Sequence, residues 1–563
     1  MIICGLKLTH DGTVALIEDG RLHFSVEMEK IANNPRFTGI EETTLIREVL
    51  ASEGVALADI DLFAVDGWGG TNKDALAIQP RLEIGNGHNW LAAKNNGVDF
   101  KMGVAPYREE TLEHDILEEW RFDGLNCGER SLKYNSYLHA AGHVLGAYCT
   151  SPFAMAGESA YVLVWDGGMY PRLYYFDAAA RNIENLGPIF LLIGNIYTIF
   201  SQHFGPFKVK GEFAKDNLSV AGKVMAYIAL GQAREEMFPL FDEIYATCYD
   251  HPMGFANIFA SQFKKRVEGR GFSDEDVLAT FHVYLERMLI KKLEKKIKRF
   301  PRPARNLCLA GGCGLNIKWN SALRDTGLFT GVYTPPFPND SGSGIGAACC
   351  AMVKHTGHLG LEWNVYGGPK PGPNGPVSGW SGKPCDLAEF AQLLHTSGEP
   401  AILLDGRAEL GPRALGNRSI VAPAVSPKMK DILNRVKQRE DYRPVSPICL
   451  EDSAPEIFAP GTPDPFMLFD HKIRREWQEK IPAVKHLDGT ARLQTITKEQ
   501  NPVAGELLEH YRRLSGIPLL CNTSANLKGS GFFPDVESAT RWDQVNYVWS
   551  DNMLYQRDEK IKF

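Results

Sequence analysis

The chain has no CxxC pair, no apolar run long enough to span a bilayer and no surplus of basic charge, and each lack removes a class of function. Its 11 cysteines, an odd number, sit mostly in apolar stretches, as at Cys4, Cys308, Cys349, Cys350 and Cys521. That usage reads as reduced core thiols of a cytoplasmic protein, against a disulfide or zinc framework. The most apolar window, residues 189–200, is too short for a membrane span and holds Gly194 and Asn195 behind Pro188, so it reads as buried core. Met1 leads straight into a strand pattern with no basic n-region and apolar h-region, so no export and no membrane partner are expected. A formal net charge of −7 gives no general attraction to nucleic acid, and an anionic substrate would need a local cluster of Arg and Lys. At 563 residues, 44% hydrophobic and 23% charged, the chain is an ordinary soluble globular protein of more than one unit.

What is present begins with Leu138-His139-Ala140-Ala141-Gly142-His143. Histidines four residues apart on a helix share a face and can reach one metal ion, although such pairs also arise by chance. The apolar run Tyr161 to Trp165 then stops on Asp166-Gly167-Gly168, which brings a carboxylate within reach. The opening of the chain has the same plan: run Ile2 to Leu8, turn Thr9-His10-Asp11-Gly12, run Val14 to Ile17, turn Asp19-Gly20, run Leu22 to Val26. Two strand-Asp-Gly-strand units about 150 residues apart suggest a duplicated domain with a cleft between its halves, unless such short units match by accident.

Helices are expected over Glu41 to Glu53, Glu109 to Trp120 and much of Val224 to Phe300, with an irregular insertion at residues 69–103. The basic run Lys291 to Arg299 reads as a solvated helix face. A strand over Asn306 to Ala310 runs into Gly311-Gly312-Cys313-Gly314-Leu315-Asn316, where Gly311, Gly312 and Asn316 could admit a nucleotide, or could simply pack a helix on a sheet. Asp340, in Asn339-Asp340-Ser341-Gly342, sits at a second strand-to-helix corner as a fourth ligand or an N-cap. Tyr366 to Lys383, rich in Gly and Pro, reads as the interdomain linker, which divides the chain into 1–367 and 368–563. Beyond it, Arg407, Arg413, Arg418, Lys437, Arg439 and Arg443 fall within 40 residues at Gly/Pro-rich turns. Arginines fixed at turns suit phosphate oxygens, with surface solvation as the alternative. Arg492 adds a cation, and the run Ile517 to Leu520 ends in Cys521-Asn522-Thr523-Ser524-Ala525-Asn526, polar groups that bind a nucleotide or cap a turn.

The ordered set LHAAGH, VLVWDGG, AGKVMAYIALG, LAGGCGLN, NDSGSGIG, ELGPRALGNRS, RVKQREDYRP and CNTSAN resembles the antibiotic and nodulation-factor carbamoyltransferases, with the likeness read as strongest to their cephem-acting members. The resemblance covers nearly the whole chain. It implies an α/β protein with a duplicated actin/sugar-kinase-like (tRNA threonylcarbamoyltransferase-like) N-terminal domain and a YrdC-like α/β C-terminal domain. It also implies that the C-terminal site makes carbamoyl-adenylate from carbamoyl phosphate and ATP, arriving with Mg²⁺, and that the N-terminal site passes the carbamoyl group to a hydroxyl of a small molecule. Carried over by motif, the metal ligands are His139, His143, Asp166 and Asp340, holding iron(II), with Mn or Zn also compatible. Phosphate and carbamate contacts fall on Arg413, Arg418, Lys437 and Arg443, and adenylate contacts on Arg492, Asn522 and Ser524. His10 falls where the acceptor hydroxyl is deprotonated. Where relatives often carry a basic cluster, this chain has Asn33-Asn34-Pro35-Arg36, so the resemblance carries over neither a substrate contact from that loop nor the acceptor. A homodimer is left open. Rival readings are a phosphotransferase of the actin fold and a non-catalytic nucleotide-gated binding protein.

Overall fold

A computed structural model of the chain describes residues 1–67, 81–86, 92–95, 97–100, 104, 115–209, 218–248 and 251–563. The first sheet holds β1 (Ile2–Lys7), β2 (Thr13–Glu18), β3 (Arg21–Glu27), β4 (Leu62–Asp66), β5 (Arg81–Gly85), β6 (Ala92–Asn95), β7 (Val98–Phe100), β8 (Glu119–Cys127) and β9 (Arg130–Tyr137) in the order β3-β2-β1-β4-β9-β8-β5-β6-β7. The second holds β10 (Ala160–Val164), β11 (Arg172–Asp177), β12 (Asn182–Pro188), β13 (Asn306–Ala310) and β14 (Gly331–Tyr333) in the order β12-β11-β10-β13-β14. In both, an antiparallel meander of three strands continues into two parallel ones: β1 with β4 and β4 with β9, then β10 with β13 and β13 with β14. The duplication read from the two Asp-Gly turns is therefore a duplication of sheet topology.

Burial explains why the central strands read as unbroken apolar runs. All five residues of β10 and all five of β13 are buried, as expected of strands covered on both faces. Between the sheets lies the helix His139–Cys149, every residue of which is buried, packed on the helix Ser343–His355. Both are built from small residues, and contact is direct: a Cβ on Gly346 would stand 2.1 Å from the Gly142 carbonyl oxygen. Ser343–His355 lies equally close on β1, where a Cβ on Gly5 would stand 2.0 Å from the Gly344 oxygen.

The C-terminal half forms an eight-stranded mixed sheet from β15 (Trp380–Pro384), β16 (Ala401–Leu404), β17 (Arg418–Ala422), β18 (Ser446–Leu450), β22 (Gln494–Ile496), β23 (Leu519–Ser524), β24 (Tyr547–Ser550) and β25 (Met553–Arg557), with a small antiparallel sheet of β19 (Phe458–Ala459), β20 (His471–Ile473) and β21 (Thr490–Ala491). The helices Leu387–Ser397 and Pro502–Ser515 pack on each other over its core.

Several expectations change. The helix expected over Glu109 to Trp120 lies outside the described residues up to 114, and its end is strand, because β8 starts at Glu119 to pair with β9. The insertion at 69–103 also falls largely outside them, its described pieces being β5 to β7. The Tyr366 to Lys383 stretch, read as the linker, makes ordered backbone contacts. Gly368 and Ala408 exchange backbone hydrogen bonds with the opposing segment, the Gly372 N–H donates to the Pro534 carbonyl at 2.9 Å, and the stretch ends as β15 in the large sheet. All 11 cysteines are free, and among the described residues no helix is long and apolar enough to cross a membrane.

Candidate active site

The chemistry gathers at the C-terminal ends of the parallel strands, where open α/β sheets place their ligands. β1 ends on Lys7, β4 on Asp66, and β9 leads into His139, while Asp166 lies two residues past β10 and Asp340 follows β14. His139, His143, Asp166 and Asp340 are all buried, and each offers a ligand atom within 4.8 Å of the other three. The two Nε2 atoms are 3.1 Å apart, and Asp340 Oδ1 lies 3.5 Å from that of His139 and 3.4 Å from that of His143. Asp166 stands slightly farther off, at 3.9 Å from His139 and 4.0 Å from His143. Asp340 is the first residue inside a short turn capped at Asn339, and the helix that follows is capped at Gly342, so Asp340 holds neither N-cap position.

The supports of this cluster come from residues that the sequence did not single out. His139 Nδ1 lies 3.0 Å from both carboxylate oxygens of Asp66, which fixes the ring so that Nε2 faces the cluster. Lys7 Nζ bridges Asp66 at 2.8 Å and Asp340 at 3.0 Å. Burial works against the charge on Asp66, but His139 and Lys7 outweigh it and hold the carboxyl down at about 2. Burial likewise opposes the charge of His139, and Asp66 and Asp340 overcome it, so that its pKa stands well above the ordinary histidine value. Asp66 had a signal: Asp66-Gly67 closes an apolar strand just as Asp166-Gly167 does.

His10 stands beside the cluster, with Nδ1 2.9 Å from Asp11 Oδ2 and Nε2 3.6 Å from Asp340 Oδ2. Burial pulls its pKa down, while Asp11 and Asp340 push harder and leave it raised. The donor set suits a divalent metal: two imidazoles and two carboxylates converge on one point, and a carboxylate orients one imidazole from behind.

The glycine turn after β13 belongs to the same centre. Gly311 takes φ 84, and a Cβ there would stand 2.4 Å from the Trp165 oxygen. The Gly312 N–H donates to Asp166 Oδ1 at 2.7 Å, and the Asn316 side chain accepts from the N–H groups of Lys318 and Trp319 as a helix cap. The Gly312 N–H is thus taken up by Asp166, the Gly311 N–H by the Pro338 carbonyl at 2.7 Å, and the Asn316 side-chain oxygen by the helix.

Three residues past Gly312, the Leu315 carbonyl meets Nη2 of Arg413 at 3.5 Å, where the C-terminal half brings in a cluster of cations. Arg413 is pushed well below the ordinary arginine value by burial and then by Arg492, Arg36 and Arg443. Arg492 is pushed down to about 10 by burial and Arg443. Arg439, held by Asn434 Oδ1 at 2.6 Å, comes down to about 9 through burial, Arg443 and Arg492. Lys437, lowered by burial and Arg439, donates to the carbonyls of Ser524 and Asn526 at 2.8 and 2.9 Å. Half-buried cations that repel one another and meet few carboxylates are suited in chemistry to an anion.

The remaining expected residues surround this cluster. Ser524 Oγ donates to Asn526 Oδ1 at 2.6 Å, and Asn522 Nδ2 donates to Ala414 O and Gln494 Oε1, leaving the buried Asn522 Oδ1 without a partner. Arg418 is different. Its guanidinium is turned into backbone, donating to the carbonyls of Asp405, Asn417 and Gly406 at 2.8, 2.9 and 3.0 Å. The two halves are held together beneath the site by buried Lys30, which donates to Glu27 and to the carbonyls of Glu409 and Gly411, and by the Gly411 N–H donating to Glu27 Oε1 at 2.7 Å.

Comparison with known proteins follows the same division. The Carbamoyltransferase N-terminus family matches residues 2–349 and the Carbamoyltransferase C-terminus family residues 391–557. Nodulation protein U of Rhizobium tropici is 48% identical over 99% of this chain and 96% of its own length, and Nodulation protein U of Sinorhizobium fredii 45% over 99% of each. The 3'-hydroxymethylcephem-O-carbamoyltransferase of Streptomyces clavuligerus is 30% identical over 99% of each chain. Of the two groups the nodulation proteins stand nearer, which moves the likeness away from the cephem-acting members. With residues 2–349 and 391–557 matched and the histidine-carboxylate and cation clusters each in its own half, this chain belongs to the carbamoyltransferase family.

Proposed function

We propose that the chain is an ATP-dependent O-carbamoyltransferase, which forms carbamoyl-adenylate from carbamoyl phosphate and ATP in residues 368–563, a YrdC-like unit, and transfers the carbamoyl group in residues 1–367 to a hydroxyl of a small natural product. The observation that carries this reading is the pairing of two unlike centres on one turn. Asp166 of the metal-type cluster is held by Gly312, and Arg413 of the cation cluster reaches Leu315 three residues on. Arg413, Lys437, Arg443 and Arg492, with Asn522 and Ser524 beside them, would hold the phosphates of the donor and of Mg²⁺-bound ATP.

His139, His143, Asp166 and Asp340 would hold a divalent metal, iron(II) in this reading. Once bound, it supplies a Lewis acid that polarises the donor carbonyl. The chain's own part is proton transfer and placement. His10 takes the proton of the acceptor hydroxyl, Asp11 orients its ring, and the developing alkoxide attacks the carbamoyl carbon as AMP leaves. Lys7 helps keep Asp66 and Asp340 ionised, so the ligand Asp340 and the support Asp66 both stay anionic at neutral pH.

The test is incubation of the purified protein with labelled carbamoyl phosphate, Mg²⁺, ATP and a panel of small alcohols. AMP and an O-carbamoylated product in equal amounts are expected. If no AMP forms with any acceptor and no carbamoyl-adenylate is trapped, the reading is wrong.

A further inference from the structure

We propose that Arg36, carried on a loop of the N-terminal half, completes the cation cluster of the C-terminal half and binds a phosphate oxygen of the anionic donor held there. The inference rests on the reading above, in which that cluster takes carbamoyl phosphate and ATP.

The loop crosses from one half to the other and is docked by its backbone. The Arg36 N–H donates to the Gly529 carbonyl at 2.9 Å, the Gly531 N–H donates to the Asn34 carbonyl at 3.0 Å, and Pro35 pairs with Ser530 in an antiparallel bridge. Gly531 is pressed so close that a Cβ on it would stand 1.8 Å from the Glu29 oxygen. This partner segment belongs to the donor cluster itself: Asn526 Nδ2 donates to the Ser530 carbonyl at 2.9 Å, and Asn526 Oδ1 accepts from Lys437 at 2.6 Å. Arg36 therefore arrives one hydrogen-bonded segment away from Lys437.

The loop is also held in a costly shape. Ala32 and Phe37 take φ 53 and 66 in the left-handed region, which only over-determined segments keep. Glu29 helps fix it, accepting from the Phe37 N–H at 3.1 Å and standing 3.8 Å from Arg36 Nε. Across the gap, the enclosed Nε of Arg413 has no hydrogen-bond partner. The charge of Arg36 is felt there too, since after burial and Arg492 it helps to lower the pKa of Arg413, and after burial and Arg439 that of Lys437. Toward Arg413 and Lys437 this sixth cation adds repulsion, and Glu29 meets it only at 3.8 Å. With a phosphate between the halves, one guanidinium from each side can bind it, and filling the donor site then also bridges the two halves.

Because the backbone docks the loop, removing the side chain leaves the loop in place, and Arg36→Ala is a clean test. KM for ATP, KM for carbamoyl phosphate and KM for the acceptor are measured on the full chain, together with equilibrium binding of ATP and the melting temperature. We expect a rise of about tenfold or more in KM for one or both anionic substrates, partial recovery in Arg36→Lys, and unchanged acceptor KM and melting temperature. A rise for ATP alone assigns Arg36 to the nucleotide, and a rise for carbamoyl phosphate alone assigns it to that phosphate. Unchanged constants in a variant of an active enzyme overturn the role of Arg36 and leave the carbamoyl-transfer reading standing. A wild-type chain that neither binds nor consumes either substrate overturns both.

Discussion

Asp66 receives the His139 ring edge-on, with Nδ1 3.0 Å from each of its carboxylate oxygens. The carboxylate fixes which nitrogen of His139 is turned to the cluster and raises its basicity. Asp66→Asn keeps the shape and removes the charge, so metal affinity should fall roughly 10- to 100-fold, the usual cost of losing such a support. Competition with a chelator of known affinity, followed by elemental analysis, reads this directly. Equal affinity in wild type and variant would remove Asp66 from the account.

The cation cluster is expected to trade stability for binding. Arg413 is repelled by Arg492, Arg36 and Arg443, and its enclosed Nε is unpartnered. Arg413→Gln should therefore leave the melting temperature unchanged or higher while weakening ATP binding by about tenfold or more. A calorimetric scan with and without Mg²⁺-ATP separates the two effects. A variant that melts lower and binds ATP normally would make Arg413 structural.

The close contact between the two buried central helices sets a steric limit. A Cβ on Gly346 would lie 2.1 Å from the Gly142 oxygen and would have to push the helices apart. Gly346→Ala should cost about 3 kcal/mol or prevent folding, at the upper end of overpacking penalties. Gly375→Ala, which meets open space, is the control and should cost almost nothing. Chemical denaturation of the pair measures the difference.

A pH dependence follows from His282, buried against Trp319 at a ring distance of 5.2 Å and bonded through Nδ1 to Tyr197 at 3.0 Å. Burial, with Lys318 nearby, pushes its pKa down to about 3, whereas the unfolded chain titrates at about 6.5. Between those values the unfolded state binds the extra proton. The stability contributed by the neutral ring is therefore complete above pH 6.5 and is lost as pH falls, by about 1.4 kcal/mol for each unit below it. His282→Phe keeps a stacking ring and removes the titration, so its stability should decline less between pH 7 and 5. Parallel slopes for the two proteins would contradict this.

What the sequence made legible was local. The meanders, the strand Asn306 to Ala310, the helix Leu387 to Ser397 and the pair His139/His143 are written in short patterns, and the structure places them where those patterns fall. Asp66 and Lys7 were missed because each is one polar residue ending an apolar strand, and only the assembled sheet brings them to the histidines. Gly312, Asn316 and Arg418 illustrate the opposite difficulty. Motif density marks such residues, but which way their donors face depends on neighbours distant in sequence, such as Asp166 for Gly312 and Asp405 for Arg418. The Gly/Pro-rich stretch after Tyr366 reads as a linker from composition alone, and its backbone partners at Ala408 and Pro534 are not legible there because they lie far along the chain.

In the proposed function the labour is divided, with adenylate formation at the cation cluster and transfer at the histidine-carboxylate cluster. His143→Ala tests it most directly, because His143 lies in the second cluster and removing its imidazole leaves Arg413, Lys437 and Arg492 untouched. The measurement is ATP consumption and carbamoylated product in the same reaction, with a nucleophile such as hydroxylamine present to trap carbamoyl-adenylate. The account predicts that the trapped adduct and AMP still form while transfer to the alcohol falls at least 100-fold. If the substitution abolishes both, or leaves transfer intact, the two tasks are not divided between these two sites.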